Sequence, residues 1–246
     1  DVATNSNDDQ AFQMSGGSVQ LSTGCVHSVG GVETTTGLTL TTCSAPRTEV
    51  PVIVDPYSDV EDPEVVGDCA DGDLSDVSVT PDTGHPLGVG SKHFCGGMSL
   101  TGSVNFAPGL YIVDGGTFKI NASAQVTGSG VTFFLTGGAS LSYNGGATIN
   151  LSAPTSGSLA GLLFYADRDD IGVAHKINGN TGSELNGAIY MPSGDLDYSG
   201  NVSGGGGGCT QIVTRRVTFS GNSSLQVNCE AVGTRRIAVG ESIALV

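Results

Sequence analysis

At 246 residues the chain can bury one substantial core, and its 39 glycines with only 13 % charged residues favour short strands and turns over helices. A formal charge of −15 leaves no basic surface to neutralise phosphates, which argues against nucleic acid as a partner. The 38 % hydrophobic content, regularly spaced, argues against a disordered chain, and no apolar run approaches the roughly 20 residues that span a bilayer.

The chain opens on DVATNSNDD, which lacks the pattern of a signal peptide and reads as a processed product whose targeting segment lies upstream. Strand-like runs follow at GSVQLST (17–23) and GLTLTTC (37–43). Residues 44–94 break the pattern. The stretch SAPRTEVPVIVDPYSDVEDPEVVGDCADGDLSD carries four prolines and many carboxylates, and proline cannot donate to a sheet ladder. It reads as an irregular Pro/Asp-rich loop excursion lying across the rest of the molecule, with one edge strand at VPVIV.

Beyond it the strands return at 102–107, 110–120, 123–136, 139–152, 159–166, 185–192, 195–201, 211–222 and 223–229. Asp-Gly at 114–115 and Asn-Gly at 144–145, 178–179 and 186–187 punctuate them. Asn-Gly between strands normally signals a tight antiparallel hairpin. Against that stands a repeat: Ser-Gly-Asn or Asn-Gly-Asn recurs at Asn180, Asn201 and Asn222, at a spacing of 21 residues that suits one coil of a solenoid. The reading is therefore all-β, a right-handed parallel β-helix forming one domain over 1–246, with a β-sandwich or jelly roll as the alternative.

Six cysteines stand at 25, 43, 69, 95, 209 and 229, with no C-x-x-C pair and no zinc-finger spacing. An even number in such a chain points to disulfides and an oxidising compartment. Six cysteines allow 15 connectivities. Sequential pairing, Cys25 with Cys43, Cys69 with Cys95 and Cys209 with Cys229, closes short loops and is worth roughly 3 kcal/mol for each bridge by chain entropy.

Residues for chemistry are scarce. His27, His85, His93 and His175 are scattered, none spaced as in a zincin, although His85 and His93 flank one loop. Asp71, Asp73 and Asp76 place three oxygen ligands on a short glycine-containing loop, as calcium requires, without the spacing of an EF-hand; no other cofactor is expected. Asp167, Arg168, Asp169 and Asp170 follow an apolar strand, and Asp167 with Asp169 is the pair a carbohydrate-active enzyme would use. The chain has no tryptophan, and no stretch gathers tyrosine and phenylalanine into a platform for sugar rings. No nucleophile elbow or P-loop occurs, and no catalytic residue is assigned.

The ordered series CGGMSLTGSVNFAPGLYIVDGGTFKINASAQVTGSGVTFFLTGGASLSYNGGATINLSAPTSGSLAGLLFYADRD (95–169) resembles the C-terminal region of TadG-like Flp pilus-assembly proteins of the tight-adherence system. The resemblance continues through GAIYMPSGDLDYSGN (187–201) and CTQIVTRRVTFSGNSSLQVNC (209–229), and more weakly upstream at 15–31 and 55–63. It implies a protein of the Gram-negative envelope, periplasmic, surface-exposed or extracellular. It also implies a structural or adhesive role without catalysis, and partners among pilus or surface proteins or further copies of the chain itself. The membrane helix usual in that family has no counterpart in this sequence.

Overall fold

The computed structural model describes residues 1–15, 20–180, 182–200, 209–220, 229 and 232–237. Among them every regular element is a strand, and no helix is long and apolar enough to cross a membrane. Where the sequence reads as one domain, the chain divides into two compact units, Asp1–Asp59 with Arg235–Val246, and Val60–Thr234. The cause is a return of the chain that no local pattern reveals. The Arg235 guanidinium donates to the Pro56 carbonyl and to Asp59, and lies 5.4 Å from the centre of the Tyr57 ring.

The first unit contains β1 (Val2–Thr4), β2 (Phe12–Gln13), β3 (Leu21–Thr23), β4 (Val26–Ser28), β5 (Val32–Glu33) and β6 (Leu38–Leu40). They pair in parallel as β1 with β4, β2 with β5 and β3 with β6. This is two coils of a three-sided solenoid. Like residues stack, Val2 on Val26, Phe12 on Val32 and Leu21 on Leu38, so each coil covers the apolar side chains of the next. Asn5 pins the chain beyond them, its side-chain amide accepting from Ile53 N–H and donating to Ile53 C=O.

The second unit contains β7 (Cys69–Ala70), β8 (Asp73–Val79), β9 (Thr83–Gly84), β10 (Gly90–Phe106), β11 (Gly109–Ile120), β12 (Gln125–Ser129), β13 (Val131–Thr136), β14 (Ser140–Tyr143), β15 (Thr148–Ser152), β16 (Leu162–Ala166), β17 (Ala174–Gly179), β18 (Glu184–Gly200) and β19 (Thr210–Ser220). Among the described residues all pairings except the short β9–β10 contact are parallel, which makes the unit a parallel β-helix and not a sandwich. The first side stacks β7, the starts of β10 and β11, β13, β16, and parts of β18 and β19. The second stacks the start of β8, the middle of β10, the end of β11, β14, β17, and the ends of β18 and β19. The third stacks the ends of β8 and β10, β12, β15 and the start of β18.

Residues 69–79 thus belong to the solenoid and not to an irregular excursion. Asp and Gly crowd the segment, yet Leu74 and Val79 pair with Leu100 and Phe106 in the next coil. Stacking outweighs the poor strand propensity of its neighbours.

One core fills the coils. Inward residues repeat down each side: Phe94, Val113, Leu135 and Ala166; Leu100, Ile120, Tyr143, Ile177 and Tyr198; Val104, Val126 and Ile149. The rings of Tyr111, Phe133 and Phe164 stack from coil to coil at 5.5 and 5.6 Å. Burying each such ring contributes roughly 2 to 3 kcal/mol, which explains how strands of five residues hold together.

Corners explain the glycine and asparagine content. At the turn between the first and second sides, Gly97 and Gly116 have φ of 110° and 67°, and a Cβ on Gly116 would lie 2.1 Å from the Gly96 carbonyl oxygen. At other corners asparagine amides satisfy carbonyls. Asn121 donates to Leu100 C=O at 2.9 Å, and Asn180 donates to Gly145 C=O at 3.1 Å. The Asn-Gly dipeptide at 144–145 turns a corner of the solenoid and that at 178–179 ends strand β17 in parallel register with β18, so neither makes a hairpin. The 21-residue repeat is visible in the register, Asn178 pairing with Ser199 and Ser199 with Ser220. Asn201 and Asn222 themselves, and residues 223–228 of the last expected strand, lie outside the described residues.

Candidate functional site

The three sides differ in what they present outward. On the second and third, strands such as Thr-Phe-Lys-Ile (117–120) and Thr-Ile-Asn-Leu-Ser (148–152) alternate, sending apolar residues inward and short polar ones out. The outward residues form ladders between coils: Thr127 donates to Asn105 at 2.9 Å, and hydroxyls meet at Thr117–Ser140 and Ser129–Ser152, both 3.1 Å. On the first side, runs such as VTFFLT (131–136) and LLFYA (162–166) are apolar on both faces and fully buried. Outward there, Ile112, Phe134, Tyr165 and Tyr190 stack in register, with edge-on contacts of 5.2 Å between the last three rings.

Residues 60–67 run across this outward face. Tyr165 Oη donates to Asp62 at 2.5 Å, while the carbonyls of Glu64 and Gly67 accept from His85 Nε2 and His93 Nδ1 at 2.9 and 3.0 Å. Five residues from Asp62 to Gly67 span the three coils between Tyr165 and His93. An extended chain of that length reaches about 16 Å, and three strand spacings amount to about 14 Å. Arg168 locks this strap, with Nη1 2.6 Å from Asp62, Nε donating to Tyr190 Oη at 3.0 Å, and its guanidinium over the rings of Tyr165 and Tyr190. Burial and the neighbouring Asp62 carboxylate push the Tyr165 hydroxyl far above its ordinary range, so it stays a donor. Nothing in the sequence linked Asp62 to Arg168, which lie 106 residues apart.

Four of the acids singled out from sequence, Asp71, Asp76, Asp167 and Asp170, accept from backbone N–H groups. Asp71 Oδ1 accepts from Asp73 N–H at 3.0 Å, and Asp76 accepts from Ser103 N–H at 2.9 Å. Asp71, Asp73 and Asp76 are exposed, and they are not among the groups of described residues whose ligand atoms converge. Asp167 accepts from Thr136 Oγ1 at 2.7 Å and from Asp169 N–H at 2.9 Å, and Asp170 accepts from Gly138 N–H. These bonds fix a corner after β16. His85 engages backbone through both nitrogens, accepting from Leu87 N–H while donating to Glu64 C=O, which leaves neither for a metal.

His175 points inward and is 2 % exposed. Its Nδ1 accepts from Leu141 N–H at 3.2 Å, its Nε2 has no partner, and it faces Leu196 in register. Burial drives its pKa down to about 4, against a smaller opposing pull from Asp195. It is a neutral core residue at neutral pH.

All six cysteines are bridged in the sequential pairing, Cys25–Cys43, Cys69–Cys95 and Cys209–Cys229. Two of the bridges carry a histidine and an aspartate. Cys69 pairs with His93 across β7 and β10, Cys95 Sγ lies 3.3 Å from His93 Nε2, and Asp114 Oδ2 lies 3.6 Å from the same nitrogen. In the first unit Cys25 gathers with His27 and Asp1, the latter two 3.9 Å apart. In both clusters the sulfurs are already bonded to one another, so neither offers thiolates to a metal. The neighbours His93 and Asp114 come from consecutive coils, a proximity that only the register creates. Compared with known proteins, the chain matches no family model, no curated sequence and no solved structure.

Proposed function

We propose that the chain is a non-catalytic structural or adhesive component of a bacterial surface, exported to the envelope or beyond it and related to Flp pilus assembly and tight adherence. The observation that carries this reading is the pair of polar ladders on the second and third sides. A parallel β-helix repeats the same short hydroxyl and amide groups every 4.7 to 4.9 Å, which suits many weak contacts with a surface or a further copy better than it suits capture of one small ligand. Three disulfides fit an oxidising compartment outside the cytoplasm. The link to pilus assembly rests on the sequence resemblance alone.

The test is binding by the purified chain to pilus proteins, to bacterial or abiotic surfaces, and to itself, followed by surface plasmon resonance and sedimentation. Saturable binding to one of them, weakened by Lys or Glu placed at Thr127 and Ser142, is the expected result. Absence of any binding at high micromolar concentration contradicts the reading. The carbohydrate-active alternative is less well supported, because the aromatic rings of the second unit, except the partly buried Phe219, are buried in its core or under the strap. It predicts turnover on a polysaccharide panel that Asp167→Asn or Asp169→Asn abolishes.

A further inference from the structure

We propose that the Cys69–Cys95 bridge is a thiol–disulfide exchange site at which His93, positioned by Asp114 and Gly67, assists departure of the Cys95 sulfur when an external thiol attacks Cys69. Three features of the second unit carry this. Cys69 is solvent-exposed, so an incoming thiolate can reach its Sγ. His93 is buried and fixed, its Nδ1–H donating to Gly67 C=O at 3.0 Å, which turns Nε2 to within 3.3 Å of Cys95 Sγ. Asp114 Oδ2, 3.6 Å from that same nitrogen, attracts a positive charge on the ring. Both ring nitrogens therefore face acceptors, an arrangement that the doubly protonated imidazolium satisfies completely.

The chemistry follows from which sulfur is stabilised as it leaves. A thiolate forms a bond to Cys69 Sγ, the Cys69–Cys95 bond breaks, and its electron pair departs on Cys95 Sγ. There it meets His93 Nε2–H and takes the proton. The product is a mixed disulfide at Cys69 and a thiol at Cys95. The second thiol of a dithiol then displaces Cys69, so one dithiol is oxidised to its disulfide and the bridge is reduced. Gly96 and Gly97, both at positive φ, follow Cys95 at a register shift in β10.

The molecule contains its own control. Cys25–Cys43 has the same three residue types beside it, but Cys25 is 5 % exposed. Burial, Arg47 and the chain's amino terminus lower the pKa of His27, which favours a ring without the proton a departing sulfur needs.

The experiment treats the intact oxidised chain with limiting dithiothreitol, quenches with alkylating reagent over time, and maps modified cysteines by peptide mass. The Cys69–Cys95 bridge opens about tenfold or more faster than Cys25–Cys43. His93→Gln removes most of that lead. Asp114→Asn, which leaves the buried ring and its bond to Gly67 in place, reduces the lead at least threefold, and decides the matter should His93→Gln fail to fold. Equal opening of the two bridges in the unaltered chain, or a lead that survives Asp114→Asn unchanged, overturns the proposal.

Discussion

The first and third sides of the second unit are built from strands of similar length, yet they carry different loads. On the third side Thr127 and Asn105 meet solvent, and only alternate residues are buried. On the first side every residue of β13 and β16 is buried, because the outward rings lie beneath the strap. The lesson is that a solenoid coil does not distribute its stability evenly. A doubly buried side contributes apolar burial on two faces, while a half-exposed side contributes one face and offers the other for contact.

The comparison is broken most severely by emptying the first side. Phe133→Ala removes a ring that touches Phe106, Tyr111, Phe118 and Phe164, and is expected to cost about 3 to 5 kcal/mol in denaturant unfolding. Tyr165→Ala, on the outward face of the same side, should cost nearly as much, which no outward position on the third side would do.

Next in size is a pH effect from the second side. The folded pKa of His175, about 4, lies below the ordinary 6.5. Its contribution is therefore fully present above pH 6.5 and is lost as pH falls from there towards 4, to a maximum of about 3 kcal/mol. His175→Leu, matching the leucines at 141 and 196, should flatten unfolding midpoints measured between pH 7 and pH 4.5. His27, lowered by burial in the first unit, keeps its own smaller contribution of the same sign.

A smaller loss of about 1 to 2 kcal/mol is expected for Arg168→Ala, which removes the ion pair to Asp62 and the two ring contacts that hold the strap. Limited proteolysis should then cut within residues 60–67 before the coils unfold. The smallest effect belongs to Thr127→Ala, within about 0.5 kcal/mol by the same denaturant titration, since its one hydrogen bond is exposed to water. A large loss there would mean that the outward ladders bear structural load.

Much of this was legible in the sequence. The continuous apolar runs at 131–136 and 162–166 against the alternation at 148–152 distinguish the sides, and the sequential cysteine pairing follows from short loops. The 21-residue repeat survives where coils are regular. It is hidden where loops intervene, as between Thr136 and Asp167, 31 apart, or Ile149 and Ser183, 34 apart. Strand β8 was hidden for another reason, since acids and glycine mask a segment whose leucine and valines stack on the next coil. The strap's anchors and the His93–Asp114 pair were not readable at all, because each joins residues on different coils that only the register brings together.

The central claim is that the outward face of the first side is covered while that of the third is open. Thiol labelling of the oxidised chain carrying either Ile112→Cys or Thr127→Cys tests it most directly, since both positions point outward from the same coil. Labelling at 127 at the rate of a free thiol, with labelling at 112 slower by orders of magnitude and limited by unfolding, is the predicted result. Equal, rapid labelling at both positions would contradict the account.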